Sequence, residues 1–279
     1  MDVQVFADLH THTNFSDGMF PPIEVYQIVI ESGIKAVSIT DHDTVDGILA
    51  LPKGLIEADL FLPGVEISAA EPELSCHILG YFHHTQLSKI EELLGHSKEA
   101  RKSRLKEMIE KLRKNMGIEL NIEELVMDSA PSQILGRPHL ADLMIKKGLV
   151  RNRNTAFIKY LNQNSSVYVP YKKMTAKKAI EIIHEARGLS FIAHPGKDNV
   201  DNRIRYLVEL GLDGIEVWHY AHRSSASEEY YLKQAIKYGL MTSGGSDFHA
   251  FNPIIPLGTK GVTKENYWKI KSKLVDLAK

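Results

Sequence analysis

The stretch ADLHTHTNFSDG, residues 7–18, ends a short apolar run with His10, His12 and Asp17. Two side chains two residues apart leave an extended strand on the same face, whereas on a helix they diverge. The spacing therefore predicts a strand that delivers both imidazoles to one place, with Asp17 carried past the turn that follows. Taken alone, the three polar residues also fit an ordinary loop. The positions of the other histidines and acids decide between the two readings.

Outward from this stretch, the apolar runs VQVFADLH, KAVSIT, FLPGVEIS and CHILGYF alternate with amphipathic segments such as PPIEVYQIVIESG, the pattern of an α/β fold. Pro21 and Pro22 suit a helix start and Gly33 its end. From about Leu87 to Asn164 the strand pattern stops, and Leu105, Met108, Ile109, Leu112 and Met116 recur at the spacing of one helical face. Alternation then resumes with the helix TAKKAIEIIHEARG, the strand LSFIAH, a helix to Gly211, the strand GIEVWH, a helix through Tyr238, the strand LMTSGGSD and a closing helix from Thr263. The organisation expected is one barrel-like domain, residues 1–84 and 165–279, interrupted by a helical insertion, 85–164.

With 279 residues, 43% of them hydrophobic, the chain can bury a large core, and its net charge of -1 gives no global field for nucleic acid or membrane. The charge is uneven, however. Residues 85–160 carry fifteen Lys and Arg against ten Asp and Glu, an excess of +5 that leaves -6 on the remainder. This reads either as a solvated helix surface or as a patch for an anionic substrate. The one cysteine, Cys76, excludes an internal disulfide and is expected to serve packing. The first residues lack the layout of a signal peptide, and no apolar run approaches the roughly 18 residues that span a bilayer, so a cytoplasmic protein is expected.

Six of the 13 histidines, with three acids, fall where strands should end: His10, His12, Asp17, His42, Glu66, His77, His194, Asp247 and His249. In an α/β barrel the loops after the strands share one mouth, so residues far apart in sequence converge there. Asp247 and His249 repeat the spacing of two within GGSDFHA, where glycines permit close backbone approach. Singly, each position has a plainer explanation, as a cap, a turn or a hydrogen-bonded histidine. Nine together point to metal, and mixed imidazole and carboxylate donors suit Mn, Fe or Zn rather than Ca or Mg. Nine groups exceed one tetrahedral shell, so two or three divalent ions are expected.

Further residues are candidates for substrate contact. Arg137 in LGRPH has the planar fork that matches phosphate oxygens, and His139 follows it either as a contact or as a helix cap. Lys172 and Lys197 stand in loops where they could neutralise a second phosphate, although loop lysines are usually solvated. His219, His222 and Arg223 share the loop after GIEVWH, where a histidine could protonate a leaving oxygen or simply orient a ligand. Asp41 and Asp43 flank His42 and should face away from it, in supporting or turn roles.

The motifs DLHTHTNFSDG, TDHDT, PGVEIS, CHILGYF, AHPG and GGSDFH, in this order, resemble those of the PHP (polymerase and histidinol phosphatase) superfamily. The insertion and GRPHLADLMI resemble the TrpH-like branch, small phosphoesterases of which some act on nucleoside 3',5'-bisphosphates and on short RNA from the 5' end. The resemblance implies a distorted (β/α)7 barrel of the TIM-like PHP type and a trinuclear metal centre. One ion would take His10, His12, Glu66 and Asp247, the four residues expected to carry catalysis. A second would share Glu66 and add His77 and His194; a third would take Asp17, His42 and His249.

The function expected is therefore that of a phosphoric ester hydrolase in which metal-activated water attacks phosphorus without a Ser or Cys nucleophile. Its partner would be a small phosphorylated molecule, a nucleotide or short RNA, with no membrane and no obligate protein partner. The alternatives are a histidinol-phosphate or other phosphomonoester phosphatase, a metal-dependent amidohydrolase, which also opens with His-x-His but typically adds a metal-bridging lysine, and a non-catalytic module binding metal and nucleic acid. A structural zinc site is usually closed by four ligands, which argues against the last.

Overall fold

The computed structural model describes residues 5–127, 135–170, 173–222, 224–250 and 255–279. Strand β1, Ala7–Thr11, is buried at every position and pairs in parallel with β2, Ala36–Ile39, as strands covered on both faces do. Between them runs the helix Pro22–Ser32. It has a proline at its start, and Gly33 caps its end in the left-handed region at φ 82°. Strands β3, Gly64–Glu71, and β4, Leu74–Tyr81, follow as an antiparallel hairpin. β5, Leu189–Ile192, is antiparallel to β4 and parallel to β6, Gly214–His219, which is parallel to β7, Met241–Gly245.

The architecture is thus α/β, as expected, but among the described residues the ladders form a two-stranded sheet, β1-β2, and a five-stranded sheet, β3-β4-β5-β6-β7, and no closed sheet. The CHILGYF strand departs from a uniformly parallel barrel because the two residues between β3 and β4 cannot hold a crossover helix, which leaves only the antiparallel hairpin. Single bridges span the gaps: Val37 to Phe61 and His42 to Glu66 on one side, Ala7 to Val262 and Thr11 to Phe248 on the other. Next to β7 the backbone approach is close, since a Cβ on Gly245 would stand 2.4 Å from the His10 nitrogen. Here the buried Asp8 carboxylate does the work of a ladder by accepting the N–H of His10, Ser246 and Gly258. Burial raises this carboxyl to about 6.

Two apolar clusters, one around Ile39, Ile67, Ile78 and Ile215, the other around Leu9, Tyr81, Phe191 and Tyr267, fill the space about these strands. Cys76 belongs to the first, and burial pushes its thiol up to about 12, so its role there is packing. A third cluster gathers Leu105, Met108, Ile109 and Leu112 with Leu140, Leu143, Met144, Leu161, Val167 and Val169. Three turns of helix separate it from the root of the same helix, Leu87–Met116, where Leu87, Ile90 and Leu94 pack on the strand side. The apolar division therefore falls inside one helix rather than at its start, and reaches past residue 164. Met116, on the expected apolar face, is exposed because it occupies the last turn. Among the described residues no helix is long and apolar enough to cross a membrane.

Gly95 lies within this helix, and a Cβ there meets no heavy atom within 4 Å. Gly95→Ala is expected to stabilise the fold by about 1 kcal/mol through helix propensity, a gain of roughly 2–4 °C in melting temperature. A lowered melting temperature in a thermal scan would show that the helix uses the flexibility.

Candidate metal centre

The end of β1 brings His10 and His12, both fully buried, to the centre of the site. Nδ1 of His10 donates to Glu216 Oε1 at 3.0 Å, which turns Nε2 toward Glu66 Oε2 at 3.3 Å and Asp247 Oδ1 at 3.6 Å. His12 Nε2 stands 3.2 Å from each of the same two oxygens. Asp247 follows β7 in the left-handed region at φ 52°, a strained conformation that aims its carboxylate back at β1. His10, His12, Glu66 and Asp247 form one donor group.

A second group comprises His12, Asp17, His42 and His249. His249 Nδ1 donates to the Asp247 carbonyl at 2.8 Å, so that Nε2 meets Asp17 Oδ1 at 3.1 Å. The turn that carries Asp17 is tied down by Asp41, which accepts from Thr13 N, Thr13 Oγ1 and Ser16 Oγ at 2.6–2.7 Å. Asp43, at φ 55°, accepts from Ser68 N and from Arg101. Both flanking acids thus support the turns around His42. Across Glu66, His77 and His194 approach Oε1 at 3.7 and 2.9 Å. The structure thereby brings all nine of the expected positions together.

The cluster has a surplus of unmet donors and acceptors. His10 Nε2, His12 Nε2, His42 Nδ1, His77 Nδ1, His194 Nδ1, Glu66 Oε2 and Asp198 Oδ2 are buried and have no hydrogen-bond partner. Buried polar atoms are nearly always paired. Orphans concentrated in one pocket of imidazoles and carboxylates fit a set of divalent transition ions.

The electrostatics point the same way. Burial would raise Asp17, Glu66 and Asp247, yet the surrounding imidazoles, with Lys197 at Asp247, hold all three well below the usual carboxylate range. Burial instead prevails at His42, lowered to about 3, and at His219, lowered to about 4.

Two contributors escaped the sequence reading. Glu216 is buried in β6, where Oε1 holds His10 and Oε2 accepts the His194 N–H at 2.7 Å. Its signal was an acid within an apolar strand. The other, Asp198, stands 3.3 Å from His77 and from His194, and its signal was its place one helical turn after His194. Glu216→Gln is expected to weaken metal affinity or turnover about 10–100-fold while the fold persists, since the carboxylate fixes the tautomer and orientation of His10. Metal titration and steady-state kinetics check this, and unchanged values would overturn it.

The substrate candidates separate. Arg137 lines a cleft of about 400 Å³ whose lining also includes Asp17, His42 and His77 of the donor cluster and Arg101, Arg104, Phe157, Tyr168 and Lys173. Its guanidinium lies over the Phe157 and Tyr168 rings at 5.3 and 5.6 Å and donates to the Leu161 carbonyl at 2.9 Å. His139 Nδ1 accepts from Gly136 N at 3.0 Å and caps the helix Arg137–Lys146. Lys197 is on the donor cluster itself, with Nζ 2.7 Å from Asp247 Oδ2. His219 Nε2 reaches the same oxygen at 3.3 Å. His222 donates from Nδ1 to the Val217 carbonyl at 2.8 Å and packs on Tyr231. Lys172 and Arg223 lie outside the described residues. Arg101, Arg104 and Lys173 were not foreseen individually; the basic excess of the insertion was the signal for the two arginines, and Lys173, beyond it, had none.

Comparison with known proteins adds a second line of evidence. The PHP domain profile matches residues 8–91. The chain is 30% identical over 266 residues to the 5'-3' exoribonuclease Rnm of Escherichia coli K12, covering 92% of this chain and 89% of that protein. It is 28% identical over 249 residues to a 3',5'-nucleoside bisphosphate phosphatase of Chromobacterium violaceum, with 87% of each covered. Among solved structures, it is similar to a metal-dependent phosphoesterase of Bifidobacterium adolescentis ATCC 15703, with TM-score 0.85, 28% identity and 98% and 97% of the two chains covered. It is also similar to an amidohydrolase of Chromobacterium violaceum with bound sulfate and no metal, with TM-score 0.80, 25% identity and 96% of each covered.

Proposed function

The chain belongs to the PHP phosphoesterase family, and on that premise we propose that it is a metal-dependent hydrolase of nucleotide phosphate esters, acting on nucleoside 3',5'-bisphosphates or on the ends of short RNA. One observation carries the substrate reading. The cleft that Asp17, His42 and His77 of the donor cluster line is also lined by Arg101, Arg104, Arg137 and Lys173 and by two aromatic rings, Phe157 and Tyr168. A mononucleotide with phosphates at both ends of its sugar matches that lining, with one phosphate at the ions, the other at the cationic side chains and the base against a ring.

His10, His12, Asp17, His42, Glu66, His77, His194, Asp247 and His249 would hold two or three ions, of Mn, Fe or Zn. Such ions supply Lewis acidity and a water acidic enough to ionise near neutral pH. The chain's own groups orient the rest: Glu216 fixes His10, Asp41 fixes the Asp17 turn, and Arg137, pre-stacked on its rings, presents a fork to an anionic group. His219, which burial keeps neutral, is the candidate to pass a proton at the deep end of the cluster. The frame is read as a distorted seven-stranded barrel of residues 1–84 and 165–279, with 85–164 as the insertion that supplies Arg101, Arg104 and Arg137 to the cleft, beside Lys173 from the segment that follows. A reducing cytoplasm suits its buried free thiol.

A second reading, amide hydrolysis, has in its favour Lys197 at the cluster and a structural neighbour described as an amidohydrolase. Against it, the Glu66 carboxylate, facing imidazoles through both oxygens, takes the central place that a bridging lysine would need. One panel tests both readings. With Mn added, phosphate release from 3',5'-bisphosphorylated adenosine is expected to exceed that from histidinol phosphate, with no turnover of cyclic amides. The reverse ranking would overturn the nucleotide assignment, and amide turnover without phosphate release would overturn the reaction class.

A further inference from the structure

Asp198 ends the short helix Pro195–Asp198 and lies outside the nine residues that the motifs mark. His194 precedes this helix at φ 25°, and a proline starts the turn, so residues 194 and 198 fall one above the other. Oδ2 of Asp198 is 3.3 Å from Nδ1 of His77 and 3.3 Å from Nδ1 of His194. All three atoms are buried and lack a hydrogen-bond partner.

Spacing, together with the missing hydrogen bond, favours one of the two roles open to such a carboxylate. A carboxylate that accepts a ring N–H lies about 2.7–2.9 Å from the nitrogen, as Asp213 does with His184 at 2.7 Å in this chain. Two donors sharing one tetrahedral ion, each about 2.0–2.2 Å from it, are roughly 3.3–3.6 Å apart. Asp198 shows the second spacing twice, to one imidazole within β4 and one just after β5. In the neutral ring of His194, Nε2 donates to Glu66 Oε1 at 2.9 Å, so that the Nδ1 lone pair faces Asp198.

We propose that Asp198 is a metal ligand, forming with Nδ1 of His77 and Nδ1 of His194 the binding set of one divalent ion. The set adds Asp198 to the one the family resemblance implies, His77 and His194 with Glu66, whose Oε1 lies 2.9 Å from His194 Nε2 and 3.7 Å from His77 Nδ1. The inference rests on the metal-centre reading.

The test loads the full-length protein with Mn, removes free ion by gel filtration and counts ions per chain by mass spectrometry, for wild type, Asp198→Asn and Asp198→Ala. Crystals of the wild type are measured at the Mn absorption edge. Expected are one ion fewer per chain in both variants and, in the wild type, an anomalous peak bonded to Asp198, His77 and His194. The crystal arm needs no variant, so a misfolded substitution leaves the question decidable. Equal ion counts in folded variants, or a peak at His77 and His194 with Asp198 beyond bonding distance, would overturn the role of Asp198 and leave the metal centre standing. A wild type that binds no ion anywhere overturns both.

Discussion

Glu66→Gln is expected to cost on the order of 10³-fold in kcat/KM, the loss typical of one preorganised electrostatic group in an enclosed site, and to reduce bound metal. Glu66 faces five imidazoles: His42 at 3.1, His12 at 3.2 and His10 at 3.3 Å through Oε2, and His194 at 2.9 and His77 at 3.7 Å through Oε1. Glutamine keeps the volume but removes the charge and turns an N–H₂ toward lone pairs that an ion needs. Phosphate-release kinetics beside metal analysis reads both effects. Activity within tenfold of wild type at full metal content would remove Glu66 from the centre of the scheme.

Stripping the ions is expected to produce the second large effect, a fall in thermal stability. An ion that binds only the folded chain contributes about 2.7 kcal/mol at a hundred times its dissociation constant, which for a chain of this size is roughly 5–10 °C per site. The pH dependence has a definite sign. In the metal-free cluster burial would lower His12 and His194, but Asp247 and Glu66 hold His12 up to about 10, and Asp198 and Glu66 hold His194 up to about 9, against 6.5 when free. The stability these raised groups contribute is complete below 6.5 and is lost as pH rises through 9 to 10. Ions bind neutral imidazoles and displace those protons, so their affinity rises over the same interval. The gain in melting temperature on adding Mn should therefore be greater at pH 8 than at pH 6. No gain at millimolar Mn, or a greater one at pH 6, would contradict the assignment.

Particular residues show what was legible beforehand and why. His10 and His12 announce themselves because their spacing has one meaning on a strand, and Asp247 with His249 repeats it. The antiparallel turn of β4 was readable in principle, since the link between PGVEIS and CHILGYF is too short for a crossover. Which ring nitrogen faces which oxygen was not readable, because it depends on partners such as Glu216, 206 residues from His10. Arg101 carries no motif at all; its role at the cleft follows from Asp43, 58 residues away. Non-local pairs of this kind leave no trace in local pattern, whereas strand-end placement does.

The helix Leu87–Met116 gives the cleft a mechanical character. Thirty residues of helix form a beam of about 45 Å, rooted among the strands by Leu87, Ile90 and Leu94 and carrying at its far half the Leu105 to Leu112 face of the insertion. Arg101, near midspan, ties the beam to Asp43 like a stay. Beyond that stay Arg104, Lys111 and Asn115 donate to the Val169, Tyr168 and Ser166 carbonyls, a row of lashings along the far half. The gap between the donor cluster and Arg137 is then a braced dimension, set by one beam and the strip of chain lashed along it.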